Sequence, residues 1–167
     1  MRDEDGFAEF AVAGARRLRH AARLLTGDDA RAEDLLQTAL VRAYLRWDGI
    51  RADDPTAYVR RVLYSVHLDW WRRRWRHEYA TAELPEQPVP GDHAAESAER
   101  LRLRAALARL TRRERAVVVL RFYEDLSERE TAETLGIAVG TVKSTCARAL
   151  AKLRVSPQLP DTVEETR

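Results

Sequence analysis

Residues 126–145, LSERETAETLGIAVGTVKST, constrain this chain more than any other stretch, because their spacing describes two short helices joined by a tight turn. Ser127 can cap a helix start, and Glu130 three positions on completes an S-x-x-E capping box. Ala132 is small enough for two crossing helices to approach closely, and Gly136 falls where the turn needs a residue tolerant of positive φ. Ile137 and Val142 return apolar groups to the core, and Gly140-Thr141 opens a second helix. On that helix Val142, Cys146, Ala149, Leu150 and Leu153 form an inward stripe, while Thr141, Ser144, Thr145, Arg148 and Lys152 face outward. Residues 140–154 carry Lys143, Arg148, Lys152 and Arg154 and no acid, which suits a DNA major groove edged by phosphates. A plain helical hairpin with a basic face shares the periodicity. It does not call for a small crossing residue, a turn glycine and an acid-free outer face together. The segment therefore reads as a helix-turn-helix, with Thr141, Lys143, Ser144, Thr145, Arg148 and Lys152 as its DNA-contacting set.

The rest of the chain is helical and divided in two. Its 167 residues are 45% hydrophobic and 34% charged, the balance of a soluble globular protein. No apolar run approaches the roughly 20 residues of a membrane span, and MRDEDGF has no signal-peptide character. The single Cys146, on an inward helix face, excludes disulfides and cysteine zinc sites and fits a cytoplasmic protein. ELPEQPVPGD (83–92) is an acidic, extended-leaning linker. It separates residues 1–77 from 94–155, with 78–93 as the whole linker and 156–167 a polar tail.

Three apolar stripes fill the first part. Phe7, Phe10, Ala11, Leu18, Ala22 and Leu25 make one, stopped near Gly27; Ala32, Leu35, Leu36, Ala39, Leu40, Ala43, Tyr44 and Trp47 make the second, with Asp28 and Asp29 at its start. After a loop at 48–53, Asp54-Pro55 begins a third, burying Val59, Val62, Leu63, Val66 and Trp70. Three such helices with short connections predict a bundle. In the second part a helix at about 95–109 precedes Thr111-x-x-Glu114, another capping box, and a helix, RAVVVLRFY (115–123), that is apolar almost all round.

Charge is segregated more sharply than the net +2 suggests. Residues 57–77 hold six arginines against Asp69 alone, whereas 78–99 hold six acids and neither lysine nor arginine. The basic block points to an anionic partner, and the acidic one would oppose it. Within the basic helix, Arg60, Tyr64, His67, Trp71 and Arg74 recur at alternating spacings of four and three and so share one face. Arginines among aromatics suit nucleic acid with unstacked bases, where cations track phosphate and rings stack on bases. Tryptophans capping the bundle among solvated arginines would be the plainer explanation, but it leaves aromatics exposed within an arginine run. Glu33, Asp34, Gln37 and Arg42 form an exposed polar ridge on the second helix, whose default reading is a solvated face. His20, His67, His77 and His93 have no ligand-like spacing, there is no Gly-rich phosphate loop, and Ser65 and Ser97 lack an evident base. Neither catalysis, a metal nor a cofactor is expected.

Three segments in order resemble the RNA polymerase sigma factors, specifically the short extracytoplasmic-function group. LLTGDDARAEDLLQTALVRAYLRW (24–47) resembles the polymerase-binding part of region two; PTAYVRRVLYSVHLDWWRRR (55–74) resembles the part that melts and reads the minus-10 element. Residues 110–154 resemble region four, which reads the minus-35 element. The resemblance implies an all-α protein of two small domains, a three-helix region two and a four-helix region four. It implies core RNA polymerase and promoter DNA as partners, leaves an anti-sigma factor open, and involves no membrane insertion. Glu33, Asp34, Leu35 and Gln37 then match the surface gripping the polymerase clamp helices. Arg60, Arg61, Tyr64, Ser65, His67, Trp71 and Arg74 match the minus-10 and melting face. The apolar 115–123 helix would pack on the polymerase flap, and the loop at about 48–54 would help hold a flipped base. The linker would thread the polymerase; residues 78–93 reach at most about 50 Å when extended, more than a DNA turn of roughly 34 Å. Ser65 stands where many members have asparagine, Thr38 where an acid is common, and Thr145 where arginine is frequent, so the promoter sequence is left open. A stand-alone dimeric helix-turn-helix regulator is the competing reading; a helical RNA-binding adaptor would not explain Gly136 and Gly140.

Overall fold

The computed structural model describes residues 3–50, 54–77 and 97–155, with the side chains of 71–77 outside that description. The linker and tail expected at 78–93 and 156–167 lie outside the described residues. The described elements are helical. α1 spans Glu4–Thr26, α2 Asp29–Leu45, α3 Trp47–Ile50 and α4 Pro55–His77; α5 spans Ala98–Ala108, α6 Arg112–Val118, α7 Glu128–Leu135 and α8 Val139–Arg154. A π-helical turn, Val119–Tyr123, continues α6.

Most boundaries follow from local chemistry. Asp28 accepts from the Arg31 amide at 2.7 Å to start α2, and Asp54 accepts from Ala57 at 2.9 Å one residue before Pro55 opens α4. Thr111 with Glu114, and Ser127 with Glu130, close reciprocal capping boxes on α6 and α7. Gly27 and Gly136 end α1 and α7 with φ of +69° and +66°, the left-handed geometry that penalises a Cβ. The expected loop after α2 is partly helical instead: α3 occupies its first residues and buries Trp47 beside Phe7 and Phe10.

α1, α2 and α4 form the expected bundle around Leu18, Leu25, Leu35, Leu36, Val59 and Leu63. The same core also takes in Ala116, Val119, Leu120 and Leu126 from the second half, so the two halves pack directly on one another. This accounts for the all-round apolarity of 115–123. Ala116, Val119 and Leu120 enter the bundle, Val118 meets Leu107, Leu110 and Ala149, and Val117 meets Ala132 and Val142. One helix feeds three apolar clusters, and each buried Val or Leu contributes on the order of 1.5–3 kcal/mol.

Polar ties line the junction. The buried Arg115 guanidinium donates to the Leu107 carbonyl at 3.0 Å and to the Leu25 carbonyl at 2.8 Å. Leu25 lies in the last turn of α1, whose carbonyls lack intrahelical donors and carry the negative end of the helix dipole. Arg104 donates to Gly27 at the same end. Glu124, its side chain only 2% exposed, accepts from Arg17 Nε at 3.2 Å and has Arg60 Nε at 3.5 Å.

Candidate nucleic-acid and polymerase interfaces

The outer face of α8 is built by the turn before it. Gly136 reverses the chain, Ile137 donates its amide to the Ala132 carbonyl at 3.0 Å, and Val142 anchors α8 against Val117 and Ala132. Lys143, Ser144 and Arg148 are consequently exposed and Thr141 half-buried. Thr145 is not part of that face. It is 1% exposed, because it stands three residues after Val142 and four before Ala149 on the buried stripe, so its expected DNA contact is corrected to a core position. Lys152 is exposed but engaged, its Nζ 2.8 Å from Glu114 Oε2. Burial alone would raise the Glu114 carboxyl, but Lys152 and Thr111 together hold it below its usual range. Lys143 lies 3.7 Å from Glu128, an exposed pair worth little. Cys146 is half-buried with its thiol pushed up, first by burial, as suits a packing residue.

The α4 face is covered rather than open. Arg61 and Ser65 are exposed, but the Arg60 side chain is 18% exposed beside Glu124, Tyr64 is fully buried and His67 is 3% exposed. The expectation of one exposed arginine–aromatic face is corrected for these three: α6 and α7 pack over them. The Trp71 and Arg74 side chains lie outside those described. Tyr64 Oη and His67 Nε2 are buried without a hydrogen-bond partner. Burial, then the Arg112 and Arg115 charges, pushes the His67 imidazole down to about 3; burial, then Glu124, pushes the Tyr64 phenol well up.

On α2, Asp34 and Gln37 are exposed as expected. Glu33 is half-buried and held, accepting from Gln37 Nε2 at 2.9 Å and Arg19 Nε at 3.1 Å, in that order the causes of its lowered carboxyl. Leu35 is fully buried in the bundle, which corrects its place in the polymerase-binding set to a structural one. Sequence reasoning missed Val41 and Leu45, 56% and 58% exposed, which continue the ridge from Gln37 at helical spacing. Their absence from the inward stripe was the available signal. Next to them, Leu45, Arg46, Asp48, Gly49, Ile50 and Tyr58 line an open cavity of about 340 Å³. Residues 51–53 of the loop expected to hold a flipped base lie outside the described residues. Among the described residues no acidic, histidine or cysteine group is clustered for a metal, and no helix is long and apolar enough to cross a membrane.

The model of sigma-70 region 2 matches residues 12–77, and that of sigma-70 region 4 matches residues 100–153. The RNA polymerase sigma-E factor of Streptomyces avermitilis is 47% identical over 150 residues, covering 89% of this chain and 83% of that protein. The chain belongs to the extracytoplasmic-function RNA polymerase sigma factors. Within the group, SigM of Mycobacterium tuberculosis is 35% identical over 139 residues, covering 83% of this chain and 70% of that one. The solved structure of CnrH in complex with the cytosolic domain of CnrY is 25% identical with a TM-score of 0.60, covering 88% of this chain and 84% of CnrH. The fold also matches the sigma factor RpoE solved with the anti-sigma factor NepR from Bartonella quintana, at a TM-score of 0.66 and 24% identity over 89% and 94% of the two chains. As a sigma factor the protein works with core RNA polymerase and promoter DNA in directing transcription initiation.

Proposed function

We propose a division of labour among the exposed faces of this sigma factor. Asp34 and Gln37, flanked by Val41 and Leu45, dock on core polymerase; Lys143, Ser144, Arg148 and Thr141 on α8 read the minus-35 element. The exposed side of α4 with Arg61 and Ser65, continued by Trp71 and Arg74, captures the melted minus-10 strand. Melting is then non-enzymatic: binding to unpaired bases offsets an unstacking cost of a few kcal/mol. A protein that acts on promoter DNA belongs in the cytoplasm, and the complex of RpoE with the anti-sigma factor NepR supports an anti-sigma partner here as well. The observation that carries the reading is the pairing of an acid-free, exposed α8 face with an arginine–aromatic helix in one chain.

Permanganate footprinting of holoenzyme on a cognate promoter separates the assignments. Arg148→Ala should weaken promoter binding and leave the pattern of reactive thymines unchanged, whereas Arg61→Ala should leave closed-complex binding intact and reduce thymine reactivity. Equal thymine reactivity in Arg61→Ala and the unmodified protein would remove α4 from the melting role.

A further inference from the structure

Lys143, Arg148 and Lys152, on the outer side of α8, are not held alike. Lys152 is paired with Glu114 at 2.8 Å and Lys143 lies 3.7 Å from Glu128, so each has a carboxylate beside it. Arg148 is exposed and its partner is neutral: Nη2 donates to Thr145 Oγ1 at 3.4 Å. A guanidinium carries several N–H donors in one rigid fork, so this bond occupies one and leaves the rest for a ligand. A hydroxyl also cancels none of its charge.

Thr145 is a particular kind of anchor for an exposed arginine, because it belongs to the core. It is 1% exposed, three residues after Val142 and four before Ala149, both fully buried. β-branching limits its rotamers in a helix, and the packing around it fixes where Oγ1 lies. A buried hydroxyl calls for a partner. Thr131, buried on α7, has none for its Oγ1, whereas that of Thr145 is met by Arg148. One bond thus satisfies a buried oxygen and aims a long, flexible cation from below.

We propose that Thr145 is a positioning residue for minus-35 recognition: its buried hydroxyl holds the Arg148 guanidinium in the plane in which it reads a guanine edge. The proposal rests on the role given above to α8. Guanine presents O6 and N7 as paired acceptors in the major groove, and the arginine fork meets both only when its plane is correctly turned. Lys143 is a point charge without such a support, and suits phosphate, which asks for no particular plane. Ordering a free arginine side chain on binding costs affinity, and a fork already aimed in the free protein avoids part of that cost. The benefit applies only where the fork is used. Thr145 therefore sharpens the choice between bases rather than raising affinity for DNA as such, and it does so without touching DNA.

Fluorescence anisotropy of holoenzyme on promoter duplexes, with the minus-35 element varied one base at a time, tests this on the full chain. The unmodified protein should prefer guanine at one position by about fivefold to a hundredfold. Arg148→Ala and Arg148→Lys should both flatten that preference. Thr145→Val, which keeps the branched shape and drops the hydroxyl, should lower the same preference by about two- to tenfold. It should keep the slope of affinity against log salt, because Arg148 retains its charge. Thr145→Ser should restore the preference, and Thr145→Val should change it no further in an Arg148→Ala background. Equal weakening of Thr145→Val on every sequence overturns the positioning role, since that is what a purely structural residue would give. So does an unchanged preference in Thr145→Val where Arg148→Ala flattens it, or a failure of Thr145→Ser to restore it; each leaves the assignment of α8 standing. If no base preference depends on Arg148, both the positioning role and the reading of minus-35 by Arg148 fail.

Discussion

Replacing Arg115 by methionine keeps the apolar stem that packs in α6 and deletes the guanidinium. Two charge-assisted hydrogen bonds disappear, to Leu107 within the second half and to Leu25 across the junction. Each is worth about 1.5 kcal/mol at the low end for a charged donor; the Leu107 carbonyl keeps the Leu110 amide at 3.1 Å, while the Leu25 carbonyl loses its Arg115 donor in a buried setting. A loss of about 3 kcal/mol follows. Burying a methionine beside the apolar residues around it recovers part of this, so the net is placed at about 2–3 kcal/mol. Urea unfolding followed by circular dichroism measures it as a drop in midpoint. The junction bond adds a second signature: with Leu25 released, the halves should unfold less cooperatively, so the slope of the transition should fall with the midpoint. A change in unfolding free energy below about 0.5 kcal/mol, the range of an inconsequential surface substitution, would refute the view that Arg115 ties the halves together.

Other outcomes follow from the same geometry. His67 is neutral in the packed state, held at about 3 against an ordinary 6.5, with the facing Arg112 and Arg115 charges pushing the same way as burial. Its contribution is therefore complete above pH 6.5 and lost as pH falls toward 3; between pH 7.5 and 5.5 it should lower the unfolding free energy by about 1.4 kcal/mol, and His67→Leu should remove that part, leaving the smaller loss in the same direction from His20, whose imidazole is also held low, first by burial. Arg148→Ala and Lys143→Ala should each lower the slope of promoter affinity against log salt by about 1, measured on holoenzyme by fluorescence anisotropy. Lys152→Ala should leave that slope unchanged and cost about 1 kcal/mol of stability, because it strips Glu114 of its ammonium partner. Asp34→Ala and Gln37→Ala should weaken polymerase capture in a pull-down while changing the unfolding free energy by no more than about 0.5 kcal/mol.

Local chemistry was legible in the sequence, and the partner of each face was not. Thr111 with Glu114, Ser127 with Glu130, Asp54-Pro55 and Gly136 act within one turn of chain, so their residue types suffice to place α6, α7, α4 and the sharp reversal before α8. Periodicity likewise identified the stripes that fill the bundle. It could not say that the arginine–aromatic side of α4 is covered by a second helical layer, because periodicity marks which residues share a face and not what lies against it. Arg115 and Glu124 were the traces of that layer, charges within and just after an apolar helix, and their partners at Leu25, Arg17 and Arg60 are remote in sequence. Thr145 and Leu35 were misplaced for a different reason. Both sit at buried helical positions, and a polar side chain in one case and a family motif in the other outweighed the spacing. The π turn carries no sequence signal beyond the apolar run around it.

Run-off transcription on a promoter library, with core polymerase alone and with the protein added, shows whether this protein directs core RNA polymerase to a subset of promoters. Discrete transcripts should appear only with both proteins and start at a shared pair of promoter elements, with little specific DNA binding by the protein alone. Specific binding to a palindrome without polymerase, and no new transcript on adding polymerase, would contradict it.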